Sequence, residues 1–329
     1  MSNSKASPKN LWLITKKSFE AWNAADPFRQ SAIIAYYAIF SIPSLLVIII
    51  ALAGLAFGKE AVQGEISNQI SSAMGADTAK QIEEIIAKAG EQKKSIWATI
   101  IGIFTLIFGA MGVFLQLQTS LNQIWEVKVK PELKGKEKWV KLVKDRLFSF
   151  GLIVSIGFLL LVSLILTTAL AAFSTWIKAH LPDFMLFLFQ AINFIISFVV
   201  ISVLFALMYK ILPDARIKWK DVWVGAMVTT LLFILGRFGL GIYFGKAEPG
   251  STYGAAGSII LVMLWVSYSC MIVFFGAEFT KQYATHFGRG IEPSKDAILV
   301  ELSEEEELIV DKTIKQREKA DKARKAEKA

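Results

Sequence analysis

Two ionisable side chains stand inside long apolar runs of this chain, and both suit attracting or latching charge better than breaking bonds. Arg237 lies four residues past the middle of the run 222–244. A charge at that depth costs roughly 2.5–3.5 kcal/mol on insertion scales unless it is paired or watered. Either it lines a polar cavity that accepts a negative group, or it snorkels outward over the seven residues to Phe244, about 10 Å of helix. Glu278 lies near the end of the run 257–280. The two differ in height by about 20 Å, too far for an ion pair. Glu278 is placed to meet a base at its own level, such as Arg146, Arg216 or Lys281, as a gate or a structural latch.

The run 31–58 adds Tyr36, Tyr37, Ser41, Pro43 and Ser44. Pro43 has no N–H for the carbonyl of Ile39, so a kink is expected, with the serine hydroxyls re-satisfying the freed group. Kinked helices line binding sites in transporters, and they also occur in purely structural spans. The segment Gly250–Ser258, with Tyr253 inside it, offers amides for an anion nest or a close-packed re-entrant turn. It lacks the lysine of a P-loop, and Gly236–Gly241 is not the dinucleotide fingerprint. One cysteine, Cys270, and two histidines, His180 and His286, are too few for a disulfide framework or a Cys/His metal cluster. Metal-dependent hydrolysis needs several convergent carboxylates or histidines, whereas Asp214 and Asp221 flank a single loop. No catalytic, cofactor or metal site is expected, and the chain does not read as an enzyme.

The elements that position these residues follow from hydropathy. An apolar share of 54 % and a mean hydropathy of +0.49 exceed what a soluble domain carries, about 45–50 % apolar, and the excess is gathered in runs. A spanning helix needs about 20 apolar residues. Six stretches qualify: 31–58, 96–117, 149–172, 184–208, 222–244 and 257–280. The loops on one side, with both termini, hold 28 lysines and arginines, and those on the other hold 7. The positive-inside rule makes the first side cytoplasmic. The expected fold is therefore all-α: a polytopic membrane bundle of six transmembrane helices, N and C termini cytoplasmic. Trp97 and Trp176 at outer ends, and Trp125 and Trp223 at inner ends, agree with these boundaries.

Three domains result: a cytoplasmic or interfacial N-terminus (1–30), the membrane domain (31–280) and a charged cytoplasmic tail (281–329). Residues 9–25 place Leu11, Phe19 and Trp22 on one helical face, fit for the inner interface or for packing on the bundle. The outer segment 59–95 repeats Val62, Ile66 and Ile70, then carries a capping-box pattern at Thr78 and Gln81 before Ile82, Ile85 and Ile86. It reads as two short amphipathic helices over the outer mouth. The run 222–244 shows a lipid face of Val224, Val228, Leu231, Leu235, Phe238 and Ile242. A second face has Gly225, Thr229, Gly236, Gly239 and Tyr243, and a third Ala226, Thr230, Arg237 and Gly241. Small residues of this kind allow close helix approach. Residues 295–329 are charged without a sustained apolar stripe, as in partly disordered tails. Net charge +8 does not signal nucleic acid, because the basic loop 118–148 and the tail interleave acidic residues. The charges set orientation and meet anionic lipid instead.

Several strings in order along 31–280 resemble the YihY / virulence factor BrkB membrane proteins, formerly labelled ribonuclease BN. They are Ala35-Tyr-Tyr-Ala-Ile-Phe-Ser-Ile-Pro43, Leu121-Asn-Gln-Ile-Trp125, Leu212-Pro-Asp-Ala-Arg216 with Trp219 and Asp221-Val-Trp223, Gly236-Arg237, Tyr253-Gly-Ala-Ala-Gly257 and Gly276-Ala-Glu278. The tail after residue 290 lies outside the resemblance. It implies a multi-pass protein of the bacterial inner membrane and no settled activity. The residues and the resemblance together lead to a transporter or flippase-like exporter of an amphipathic or anionic envelope molecule. Arg237 and the segment Tyr36–Pro43 would line its path. The alternative is a non-transporting scaffold acting through the basic loop and tail. Expected partners are membrane lipids and that substrate, without nucleic acid; a homo-oligomer is compatible with the sequence.

Overall fold

A computed structural model describes residues 8–74, 79–80, 83–84, 96–130, 183–247 and 257–300 of the protein. Its helices are α1 (Pro8–Ala24), α2 (Pro27–Phe57), α3 (Lys59–Met74), α4 (Ile96–Ile124), α5 (Asp183–Ile211), α6 (Trp219–Ala247) and α7 (Gly257–Phe287). Four very short strands are β1 (Val127–Val129), β2 (Ala215–Arg216), β3 (Glu292–Pro293) and β4 (Ala297–Leu299). The expected span 149–172, Arg146, His180, Tyr253 and, of the second outer helix, Thr78, Gln81, Ile82, Ile85 and Ile86 lie outside the described residues, while residues 79–80 and 83–84 are helical. Among those described, three segments are long and apolar enough to cross a membrane: Gln190–Ile211, Trp219–Phe244 and Ile259–Phe287.

The helices exceed the apolar runs that announced them, because polar turns continue them past the run. α4 reaches Ile124 and α7 reaches Phe287. α2 starts earlier than expected. Asp26 takes a left-handed conformation (φ 54°) before Pro27, and its carboxylate accepts a 2.7 Å bond from Arg29 Nε. Pro27 supplies the preset φ that suits a first helical position. The helix runs continuously through Pro43 to Phe57. Ser41 Oγ donates to Ala38 O (3.2 Å) and not to the carbonyl of Ile39 expected from the proline. Gly58, at φ 85°, then turns the chain into α3, a conformation that L side chains rarely adopt. The stripe Val62, Ile66 and Ile70 folds back against Ile50 and Val262, as its spacing of four predicts.

α7 is the axis of the described bundle, touching α1, α2, α4 and α6, while α2 packs on α4 and α5 on α6. Lipid chains are as apolar as leucine, so helices in a membrane hold together through close approach and hydrogen bonds rather than hydrophobic burial. Three rings from three elements donate to carbonyls of α7: Trp22 Nε1 to Met271 O (3.0 Å), Tyr209 Oη to Val273 O (2.8 Å) and Trp125 Nε1 to Ala277 O (3.2 Å).

α1 packs on the bundle through a face other than Leu11 and Phe19. Ile14 and Ser18 are the buried positions, with half-buried Trp22 beside α7, while Leu11 and Phe19 are exposed. Ser18 bonds back to Ile14 O (2.7 Å), so its hydroxyl is satisfied within the helix.

The start of the tail also departs from expectation. Gly288 and Gly290 amides both donate to Ala284 O (2.9 Å each), and Gly290 (φ 77°) reverses the chain. β3 then pairs antiparallel with β2, and β4 with β1 in the register Val127↔Leu299, Lys128↔Ile298, Val129↔Ala297. Residues 288–300 therefore form a cap stitched onto the loop after α4 and the loop between α5 and α6.

Candidate functional site at the basic end of the bundle

The strings that carried the resemblance lie far apart in sequence, yet several meet beneath this cap. Asn122 and Asp214 clasp each other: the Asp214 amide donates to Asn122 Oδ1 (2.8 Å) and Asn122 Nδ2 donates to Asp214 Oδ2 (2.9 Å). Gln118 adds a 3.4 Å bond to the same carboxylate oxygen, and Ser294 of the cap donates its amide to Asp214 O (2.9 Å). The clasp fixes the end of α4 to the loop before β2. Removing the carboxylate frees the Asn122 amide, which costs about 1–3 kcal/mol when a buried group loses its partner. Asp214→Ala is accordingly expected to loosen the cap, read as faster trypsin cleavage after Arg289 and Lys295 while α7 stays protected.

One layer deeper, Trp125 and Tyr209 are fully buried and stack edge to face at 6.3 Å. Tyr209 Oη also meets Thr229 Oγ1 (2.9 Å). Here α6 and α7 interlock. A Cβ at Gly225 would fall 1.8 Å from Thr280 Oγ1, and one at Gly276 would fall 1.9 Å from Thr229 Oγ1. Each threonine hydroxyl donates to the glycine four residues earlier on its own helix, Thr229 to Gly225 O (2.8 Å) and Thr280 to Gly276 O (2.7 Å). Both motifs read Gly-x-x-x-Thr, and antiparallel packing sets each knob over the other's hole.

Glu278 follows directly on this interlock. Its side chain is 4 % exposed and lies 4.0 Å from Lys281 Nζ. Lys281 also donates to Ile124 O (2.9 Å) and to Glu126 Oε1 (2.8 Å). Of the bases the sequence offered Glu278, Lys281 is the one beside it among the described residues. Glu126 was not anticipated; it stands just past α4 in a left-handed turn (φ 55°), and its carbonyl accepts from the cap amide of Val300 (2.9 Å). Glu278 Oε2 is buried without a hydrogen-bond partner among the described residues, as is Gln30 Oε1 at the start of α2. Gln30 Nε2 reaches Gln123 Oε1 (3.2 Å), next to Ile124.

The other candidates lie elsewhere. Tyr37 and Ser41 sit in the α2–α4 contact: a Cβ at Gly112 would fall 2.2 Å from Tyr37 Cδ1, and one at Gly109 2.9 Å from the Ser41 amide. Tyr36 is exposed and stacks on Tyr37 and Phe40. Arg237 is exposed on α6, between Leu235 (58 % exposed) and Phe238 (72 %). Gly225 and Gly236 pack closely as predicted, but a Cβ at Gly239 or Gly241 would meet open space. Residues with a functional look thus fall in two places, a buried network at the basic end and an exposed arginine.

A sequence model described as "Virulence factor BrkB" matches residues 18–297, most of the chain. The chain belongs to the virulence factor BrkB family. The match runs past residue 290, so the cap through the start of β4 is part of the family's extent and not a separate tail. Similar proteins are named UPF0761 membrane protein, and BrkB membership makes this chain a membrane protein too. The relative from Verminephrobacter eiseniae is 25% identical over 225 residues, 68% of this chain and 49% of the relative. That from Tolumonas auensis is 28% identical over 193 residues, 57% and 58% of the two chains. The relative from Pseudoalteromonas atlantica is 26% identical over 253 residues, 75% and 78%. The alignments span about half the length of the first two relatives. No solved structure matches the chain.

Proposed function

We propose that this BrkB-family chain is a six-span protein of the bacterial inner membrane, termini in the cytoplasm, that moves an amphipathic or anionic envelope molecule across the bilayer. The observation that carries the reading is Glu278, an ionisable group buried in an apolar helix and joined through Lys281 to the end of α4. Charged residues inside membrane helices are costly, and pathways for ions and substrates are where they are retained. The 28-to-7 split of basic residues supports the orientation, with Glu278 on the cytoplasmic side. Arg237, exposed in the outer half of α6, supplies a positive charge for an anionic headgroup arriving from the bilayer. No bond-breaking chemistry is assigned to the chain.

The test is reconstitution of purified protein into liposomes with a panel of fluorescent anionic lipids and solutes. Movement of at least one is expected, and Arg237→Ala should slow it about tenfold or more, the loss of one charge-assisted contact worth about 1.5–3 kcal/mol. No movement across the panel contradicts transport, and full movement by the variant contradicts the role of Arg237. A scaffold reading draws on one observation, that the folded cap and the strand β2 it pairs with expose Arg216, Arg289 and Lys295.

A further inference from the structure

We propose that Glu278 is a proton-binding site facing the cytoplasmic side, and that the proton it exchanges is the coupling ion of transport. This deepens the transport reading and rests on it. Three observations converge on the site. Glu278 is 3 % exposed, one carboxylate oxygen makes no close hydrogen bond among the described residues although the Gln282 side chain lies near the carboxylate, and the other oxygen is 4.0 Å from an ammonium that is itself shared. Lys281 makes two shorter contacts away from Glu278, to Ile124 O (2.9 Å) and Glu126 Oε1 (2.8 Å). The lysine is thus placed between a buried carboxylate and an exposed one on a different element. With Glu278 ionised, Coulomb attraction draws Lys281 inward and weakens its hold on the α4 end. Once Glu278 takes a proton from cytoplasmic water, Lys281 is left to Ile124 and Glu126, and the corner closes. Returning that proton to water restores the first state, so the step balances without another reactant.

The surroundings select a proton over a metal ion. A cation site needs several oxygen ligands, and no group of three His, Cys, Asp or Glu is found among the described residues. Lys281 already places a positive charge beside the carboxylate. The neighbouring elements add little competing charge. α1 buries Ile14 and Ser18, while Lys9, Lys16 and Lys17 are exposed. α2 contributes Gln30 and Ser31, with Arg29 exposed and paired to Asp26. From the α4–β1 corner come Glu126 and the exposed Lys128. α5 brings Tyr209 and Lys210, the latter bonded to Ile217 O. On α6, Asp221 is buried where a Cβ at Gly288 would meet its carboxylate, and Lys218 and Lys220 are exposed. α3 packs beside Val262, about 24 Å along α7 from Glu278. On α7 itself, Lys281 is the near charge and His286 is exposed.

The test uses a hydrophobic carbodiimide on the full-length protein in liposomes. The reagent adds across protonated carboxyl groups in apolar surroundings and leaves a stable acylurea that peptide mass spectrometry locates. Glu278 should be labelled, with the yield rising steeply as the pH falls from about 9 to about 5, while exposed Glu126 stays unlabelled. Lys281→Met should carry the labelling to higher pH, because the ammonium that favours the ionised carboxylate is gone. Absence of labelling at Glu278 at every pH overturns the site. Substrate movement that ignores an imposed pH gradient, with Glu278→Gln as fast as wild type, overturns the coupling. Labelling as expected in a protein that moves no substrate supports the proton site and overturns the transport reading, so the two failures are told apart.

Discussion

Gly276→Ala is expected to lower the unfolding temperature of the purified protein sharply, although it adds one methyl group and improves helix propensity. The new Cβ would stand 1.9 Å from Thr229 Oγ1 and 2.5 Å from Tyr209 Oη. Neither neighbour has slack. Thr229 is fully buried and bonded to Gly225 O, and Tyr209 is bonded to both Thr229 and Val273 O. Overpacking of this kind costs about 1–3 kcal/mol, and a buried hydroxyl left without its partner adds about 1–3 kcal/mol. The propensity gain of alanine over glycine, about 0.8–1.0 kcal/mol, does not offset that sum. Gly225→Ala offers the control, because its Cβ would be blocked by Thr280 alone. Gly225→Ala should destabilise, and adding Thr280→Gly should recover most of the loss by opening the hole on the other helix. Cys270, the only cysteine of the chain and half-buried on α7, reports unfolding directly through a thiol-reactive dye in a temperature ramp. A Gly276→Ala protein as stable as wild type would contradict the interlock.

Lys281→Met is the second large effect, and here magnitudes decide which contact matters. The bridge to Glu126 involves a carboxylate 58 % exposed, and exposed pairs contribute about 0–1 kcal/mol. Glu278 is 4 % exposed, and removing one partner of a buried pair costs about 3–5 kcal/mol. The carbonyl of Ile124 also loses its donor. At about pH 9, where Glu278 is ionised in the wild type, destabilisation should therefore be severe for Lys281→Met and mild for Glu126→Gln, measured with the same Cys270 ramp, and acid should relieve it by protonating Glu278. The double variant Glu278→Gln with Lys281→Met removes the uncompensated charge and should be more stable than Lys281→Met alone. If it is no better, the buried charge is not what Lys281 holds in place.

What the sequence revealed follows from which signals are local. Hydropathy along one helix is local, so the long apolar runs, the stripe on α3 and the exposed apolar face of α6 at Leu231, Leu235, Phe238 and Ile242 were all legible. The depth argument that separated Arg237 from Glu278 used only helical rise, and it directed Glu278 to bases that included Lys281. Partner choice is not local. β1 and β4 are three residues each and lie about 170 residues apart, so no periodicity in a charged tail announces them. Only the pairing with distant loops makes them strands. The bundle-facing side of α1 was not legible because Ser18, polar by composition, is buried with its hydroxyl turned back into its own helix. Gly225 and Thr229 were read as a close-packing face, but the matching Gly276-x-x-x-Thr280 on α7 gave the signal that identifies its partner, and Tyr209 fell just past the apolar run 184–208, although its helix continues to Ile211. Pairing the two Gly-x-x-x-Thr strings would have found the interlock.

Residues 291–300 belong to the cap, so a truncation that tests the tail alone begins after residue 300. The most direct measurement compares three proteins in the same liposomes: wild type, the chain ending at residue 300, and Glu278→Gln, each followed for transbilayer movement of a fluorescent anionic phospholipid. Transport through the bundle predicts that wild type and the truncated chain move the lipid at similar rates and that Glu278→Gln does not. Equal movement by all three, or none by any of them, would contradict it.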